Sequence, residues 1–355
     1  MSSLYSNVST SWVVDDQEFA ISDDVFVFGI VIIWIITFVT IFGNALVLGS
    51  FIRDEKIRSK PANVFILVMS IADLTIGLVS LPLCNIWIMQ SVWTFGEIIC
   101  KVYLFLDYLA CGVSSGCIFL LSLDRYWMVK KNLKYKSFMT HRKAWIFAAI
   151  VISYFVIYYV VTAFFWESIS GTDNIDYSEE CELNSKNNLT FNIIEICVEF
   201  SLTLIVLVYL NVHVFIAVSN WSTGKSLQKS IVSKNNSEGN TASEKLESIR
   251  RSHNESMQMR KAATMLGSLV LAFLICWTPY HIVLICGTLE VEGINDFVWT
   301  TVGYVLWFNS SLNPVIYAAT NVQFRKNFIE MCCGKKTKLN NNSRTFSHPP
   351  SNEMR

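Results

Sequence analysis

Seven long apolar blocks divide this chain, with polar connections between them. Val25 to Ile52 carries no charge, Pro61 to Gln90 only Asp73, Val102 to Leu123 only Asp107, and Ala144 to Trp166 none. Leu189 to Trp221 holds Glu195, Glu199 and His213, Ala262 to Leu289 only His281, and Phe297 to Gln323 no charge. Each block exceeds the roughly 20 residues that a helix needs to cross about 30 Å of hydrocarbon. In lipid every backbone N–H and C=O must be paired within the segment, so such blocks predict helices. The pattern predicts an all-α membrane protein, a seven-helix bundle. A short amphipathic eighth helix follows over Asn321 to Met331, where Phe324 and Phe328 stand at i and i+4 beside Arg325 and Lys326.

Composition agrees: 52% hydrophobic and 16% charged residues lie outside the soluble globular average. Basic residues fall in alternate connections, all of the 28 except Lys101 and Lys186 on one side, which the positive-inside bias makes the cytoplasm. The amino terminus is therefore predicted outside, residues 1–24 forming an extracellular tail, 25–331 the helical domain and 332–355 a cytoplasmic tail. The first residues lack a basic start and an apolar core, so the first span is expected to act as an uncleaved anchor in the plasma membrane. Sequons at Asn7 and Asn188 fall outside, where glycosylation is expected. Formal net charge is zero, which leaves no electrostatic case for nucleic acid. The connection from Ser222 to Met257 is polar and poor in aromatics and reads as disordered or loosely helical.

Of ten cysteines, Cys100 and Cys181 meet the oxidising side and are expected to form a disulfide. Cys332 and Cys333 follow the amphipathic stretch as palmitoylation candidates. The remaining cysteines, Cys111 among them, lie within spans, where a small buried hydrophobe is the ordinary role. No nucleophile–base set, metal-ligand spacing or phosphate loop is apparent, so the reading is not an enzyme, with no cofactor beyond a sodium ion considered below.

Ionisable residues inside spans mark functional sites by default. Asp107 and Arg125 are eighteen residues apart, five whole turns, so one helix face carries an anion near the outer surface and a cation roughly 27 Å away near the inner one. Pro279 and Pro314 interrupt the hydrogen-bond ladders of the sixth and seventh spans and give them points of bending. Asp73, Ser114, Asn309 and Asn313 stand at similar depth and are expected to meet in one polar cluster, since an unpaired neutral group in hydrocarbon costs roughly 2–7 kcal/mol.

Gly43-Asn44, Ala72-Asp73, Asp124-Arg125-Tyr126, Trp145, Cys276-Trp277-Thr278-Pro279-Tyr280 and Asn313-Pro314-Val315-Ile316-Tyr317 occur in this order, one set per helix. Together they resemble the rhodopsin-like G-protein-coupled receptors, the likeness running from Asn44 to Phe328. The resemblance implies that the Asp73 cluster holds sodium in the inactive state, or serves as interhelical glue without an ion. It also implies that Asp124, Arg125, Tyr126 and Tyr317 serve coupling to a heterotrimeric G protein, with arrestin and receptor kinase as further partners. Many relatives add an acid at the base of span six; here Met259 stands there, followed by Arg260 and Lys261, which removes one inactive-state restraint and predicts raised basal signalling. Span seven contains no lysine, so a retinal pigment is not expected.

Asp107, seven residues after Cys100, stands where the amine-binding receptors of this family keep the carboxylate that holds a protonated amine. Tyr108, Cys111, Trp277, Tyr280 and Trp307 are the expected neighbours, the aromatic ones supplying a wall for the cation. Glu199 falls where histamine receptors of the third and fourth subtypes place a glutamate, and Asp107-Tyr108-Leu109 with Trp307-Phe308-Asn309-Ser310 resembles those subtypes too. Departures keep the ligand open: Thr203 replaces the usual proline, and Glu195 adds an acid one turn from Glu199, so a diamine stands beside histamine, with acetylcholine or another monoamine behind. Glu195 either joins the pocket or points to water at its rim, and His281 either lines the pocket or bonds a backbone partner. A transporter or channel using Asp73, Asp107, Glu195 and Glu199 is the alternative of another class, weakened because the inner half offers only Asp73 before Asp124.

Overall fold

The computed structural model describes residues 11–14, 17–20, 23–131, 134–171, 175–177, 180–234, 242–289, 291 and 293–334. Side chains at 11–28, 221–256 and a few single positions, Glu199 among them, lie outside that description, as do Asn7 and the tail beyond Gly334. Eight helices carry the fold: α1 (Asp23–Arg53), α2 (Asn63–Gln90), α3 (Gly96–Lys131), α4 (His141–Ser170), α5 (Leu189–Asn220), α6 (Ala242–Thr288), α7 (Asp296–Thr320) and α8 (Val322–Cys333). Six of the first seven are long and apolar enough to cross a membrane by composition alone. The exception, α7, has 25 residues, but it carries Asn309, Ser310, Ser311 and Asn313, all buried against the bundle, which lowers its mean hydropathy.

Helix starts follow the capping chemistry of the sequence. Thr140, Asn188, Asn295 and Asn321 each offer a side-chain oxygen to a backbone N–H in the first turn of α4, α5, α7 and α8. Gly334 ends α8 in the left-handed conformation that glycine adopts without a Cβ clash. The polar connection after α5 is helical up to Lys234 and again from Ala242, so the loosely helical reading fits the described part; 235–241 lie outside it. The amino-terminal segment contains a two-stranded antiparallel hairpin that the apolar pattern does not predict, Ser11–Val14 against Gln17–Ala20, with Trp12 opposite Phe19.

The bundle is built around α3, two-thirds of whose most apolar stretch is buried, whereas only 22% is buried in α1 and α4. Helices α2, α4 and α5 pack against α3, and α6 lies along α7. Close approach is set by glycines: a Cβ on Gly43 would stand 2.9 Å from the ring carbons of Pro314, and one on Gly112 would stand 2.6 Å from Phe155. Gly43 thus lets α1 touch α7 at its proline. The outward faces of α1, α4 and α5 remain apolar and exposed, as expected for helices whose solvent is lipid; Trp145 on α4 is among those exposed side chains.

Candidate functional site

Cys100 at the start of α3 is bonded to Cys181, with their Cα atoms 5.5 Å apart. Both sulfurs are buried in a small apolar cluster with Trp93, Tyr103, Leu104 and Leu183, which pins the loop over the bundle. Lys101, next in sequence, bridges Glu97 at 2.7 Å and Glu167 at 2.9 Å, and Glu167 also accepts from Tyr177 at 2.8 Å and Asn184 at 2.9 Å. These contacts tie α3 to α4 and to the connection that follows it. Their signal is Lys101 itself, one of the two basic residues, with Lys186, that stand apart from the basic connections.

Beneath that cover Asp107 is buried, and its Oδ1 accepts the indole N–H of Trp307 at 2.9 Å. No lysine or arginine pairs with it among the described residues. Trp307 in turn meets Tyr304 edge-on at 5.6 Å, and elsewhere in the bundle Tyr108 lies 5.6 Å from Tyr159 and Tyr280 lies 5.4 Å from His281. Cys111, one turn further into α3 than Asp107, is buried as well.

Glu195 is 5% exposed, so it belongs to the interior and the rim reading is corrected. The helix widens just after it: Ile196–Leu202 forms a π stretch, and Glu199 lies on that stretch with its side chain outside the described ones. His281 resolves toward the ordinary role. It is 3% exposed, its Nδ1 lies 2.9 Å from the carbonyl of Trp277, and its ring stacks on Phe200 at 4.0 Å with Trp277 at 5.8 Å on the same column.

In the core Asp73 is fully buried and accepts from Ser114 at 3.0 Å and from Asn313 at 2.8 Å, joining α2, α3 and α7. Asn309 is buried nearby on α7 without a bond to Asp73, so the four-residue cluster is tied through three members. Asn44 adds a tie that was not foreseen, donating to the carbonyls of Thr40 at 2.9 Å and Ser310 at 3.1 Å. Buried amide oxygens of Asn44, Asn309 and Asn313 have no hydrogen-bond partner among the described residues.

At the inner end of α3, Arg125 pairs with Asp124 at 3.0 Å, and Asp124 accepts from the Tyr135 hydroxyl at 2.5 Å. Burial, then the Asp124 carboxylate, pushes the Tyr135 phenol well up, outweighing the opposing pull of Arg125, so it remains a donor. Tyr126 lies edge-on to His213 at 6.2 Å. Met259 is half-buried and offers no charge. Tyr317 is fully buried against Met69 and Phe324, so in this arrangement it faces the bundle and not a cytoplasmic partner. Asp54, in the first inner turn, accepts from Asn327 at 2.9 Å and from Gln323, which fastens α8 to the bundle. Cys332 and Cys333 at its end are exposed, and Asn188 is exposed on the outer side while capping α5.

Comparison with known proteins agrees with this architecture. The profile of the 7 transmembrane receptor (rhodopsin family) matches residues 43–317. The histamine H2 receptor of Homo sapiens is 27% identical over 341 residues, spanning 92% of this chain and 87% of the relative. The histamine H4 receptor of Rattus norvegicus is 26% identical over 362 residues, spanning 85% and 91%. The alpha-1A adrenergic receptor of Oryzias latipes is 28% identical over 304 residues, spanning 81% and 63%. The likeness therefore extends to the H2 subtype at an identity similar to that of the H4. With the ordered motifs, the seven-helix bundle and a family match over most of its length, this chain belongs to the rhodopsin family of seven-transmembrane receptors and is not an enzyme.

Proposed function

We propose that the protein is a G-protein-coupled receptor for a small protonated biogenic amine, histamine-like in carrying a cation at one end and a second donor at the other. The observation that carries this is Asp107: a buried carboxylate hydrogen-bonded to Trp307, with no lysine or arginine against it among the described residues. A charged group left in such a place calls for a cation, and an ammonium supplies charge and two or three donors together. Trp277, Tyr280 and Trp307 add cation–π attraction. In this reading Glu199 on α5 takes the far end of the ligand while Asp107 takes the ammonium, and Glu195, buried one turn before Glu199, adds a further acid on the same side.

Signalling is proposed to run through an outward swing of the inner half of α6 about Pro279, freeing Arg125 from Asp124 for a heterotrimeric G protein, with receptor kinase and arrestin following. The receptor is placed in the plasma membrane with its amino terminus outside, as the basic inner connections favour. A sodium ion at Asp73 fits the chemistry there, since a carboxylate and unpartnered amide oxygens at Asn309 and Asn313 offer lone pairs to a cation. Glycans on Asn7 and Asn188 and acyl chains on Cys332 and Cys333 complete the proposed processing.

The test is a panel of biogenic mono- and diamines on the intact receptor, reading nucleotide exchange on G protein and, in parallel, ligand flux. Exchange without flux is expected, with Asp107→Asn abolishing it. Flux without exchange would make the protein a transporter. Histamine activation unaltered by Glu199→Gln would remove the two-carboxylate contact, and silence toward every amine would remove the ligand class.

A further inference from the structure

Asn85 is not used by the amine contacts above, and it is 3% exposed on α2. Its Oδ1 accepts the Tyr304 hydroxyl at 2.7 Å, while its Nδ2 is buried with no hydrogen-bond partner among the described residues. A buried N–H2 left unmade costs about 1–3 kcal/mol, so a group that stays donor-only in the core asks for an acceptor. Its surroundings connect it to the anion. Tyr304 packs edge-on against Trp307 at 5.6 Å, and Trp307 in turn bonds Asp107 at 2.9 Å. Tyr304 precedes Trp307 by three residues on a helix that runs inward, so the Asn85–Tyr304 pair sits about 4.5 Å further out than Trp307. It lies on the α2–α7 side of the anion, whereas Glu195 and Glu199 come from α5.

We infer that Asn85, held by Tyr304, forms an accessory subsite that takes a neutral hydrogen-bond acceptor, a carbonyl or hydroxyl, carried on the ligand close to its ammonium group. The inference rests on the amine reading and deepens it. Neutrality follows from charge: a carboxylate on the ligand there would add a second anion on the side of the pocket that holds Asp107, in a medium that screens poorly, while an amide or hydroxyl would not. The donor suits either acceptor, and Tyr304 fixes its orientation by occupying the other end of the amide.

The test uses two pairs of probes that differ by one neutral group on the nitrogen-bearing carbon, histamine with histidinamide and tyramine with tyrosinamide, on the full-length receptor at matched surface expression. Free histidine serves as the carboxylate control. The potency ratio of amide to parent amine is read for wild type, Asn85→Leu and Asn85→Asp. In Asn85→Leu the ratio is expected to fall about tenfold, the worth of one buried neutral hydrogen bond, with the parent amine shifted by less than about threefold. Asn85→Asp keeps the acceptor for Tyr304 and loses the donor; the ratio falls there too, while the parent amines gain from the second anion, so misfolding cannot imitate the pattern. Responses whose ratio is the same in wild type and both variants overturn the inference and leave the amine reading standing. Silence toward all four probes overturns both, and histidine matching histidinamide removes the neutral-acceptor specificity.

Discussion

Trp307 donates its indole N–H to Asp107 at 2.9 Å, joining α7 to α3 across 200 residues of chain. The bond fixes the direction of a carboxylate that has no lysine or arginine partner among the described residues, and it places an aromatic face beside whatever cation the carboxylate takes.

Replacing Trp307 with Phe keeps most of the ring and removes the donor. Amine affinity is expected to fall by about ten- to a hundredfold, the loss of one hydrogen bond to a charged group at about 1.5–3 kcal/mol. Asp107→Asn leaves the ligand's ammonium without its counter-charge and is expected to cost between about 2 and 5 kcal/mol, roughly 30-fold to several thousandfold. Because the two side chains act as a unit, Trp307→Phe should cost little more once Asp107 is Asn. Competition binding on the four members of the cycle measures this; independent, additive losses would show that Trp307 acts without Asp107.

The helices were legible in the sequence because burial in lipid demands long apolar blocks, and capping residues such as Asn295 and Asn321 mark their ends chemically. Asp107, Asp73 and Arg125 were legible for the complementary reason, a charge standing where charge is expensive. Partners across helices were not legible. Nothing in sequence spacing sets Asn85 against Tyr304, or Asp54 against Asn327, since those pairings depend on how the helices rotate about their axes. Tyr317 shows the same limit: the resemblance assigns it to coupling, but nothing in the spacing sets its ring against Phe324. The burial of Glu195 depended on the helical turn there, which widens over Ile196–Leu202 where Thr203 follows.

Gly43 and Gly267 test how much of the bundle rests on close approach. A Cβ at Gly43 would stand 2.9 Å from Pro314, whereas one at Gly267 has nothing within 4 Å. Gly43→Ala is therefore expected to destabilise by about 1–3 kcal/mol through overpacking of α1 on α7. Gly267→Ala is expected to stabilise α6 by about 0.5–1 kcal/mol through helix propensity. Thermal inactivation midpoints of the solubilised receptor should move in opposite directions, and a common direction would refute the packing argument.

The junction between the first inner turn and α8 has a predictable pH response. Burial raises the Asp54 carboxyl, but hydrogen bonds from Asn327, Gln323 and the Lys56 N–H outweigh it and hold the group below its ordinary 3.8. A carboxyl lowered in the folded state contributes stability that is complete above the unfolded value and is lost as pH falls through the folded one. Docking of α8 should thus be insensitive to pH above ~5 and loosen below ~4. A fluorophore on Cys333 of receptor stripped of acyl chains with hydroxylamine reports this by anisotropy; Asp54→Ala should show the loosened signal at every pH, and an acid transition persisting in that variant would assign the response to another group.

Among the described residues Arg125 is held by one acidic partner, Asp124. Asp124 pairs with it at 3.0 Å and is itself held by Tyr135, while Met259 on α6 brings no charge. Resting-state restraint therefore concentrates on the hydroxyl of Tyr135, which orients the one carboxylate that engages Arg125 among the described residues. Tyr135→Phe removes a hydrogen bond to a charged group, about 1.5–3 kcal/mol, and is expected to raise ligand-free nucleotide exchange several-fold. Met259→Glu places an acid where α6 can reach Arg125 and is expected to lower the same basal rate, including in the Tyr135→Phe background. Basal exchange measured at graded, matched expression decides it. A wild-type rate no higher than mock, unmoved by either substitution, would mean that the Asp124–Arg125 pair alone locks the inner face and that the missing acid on α6 has no energetic consequence.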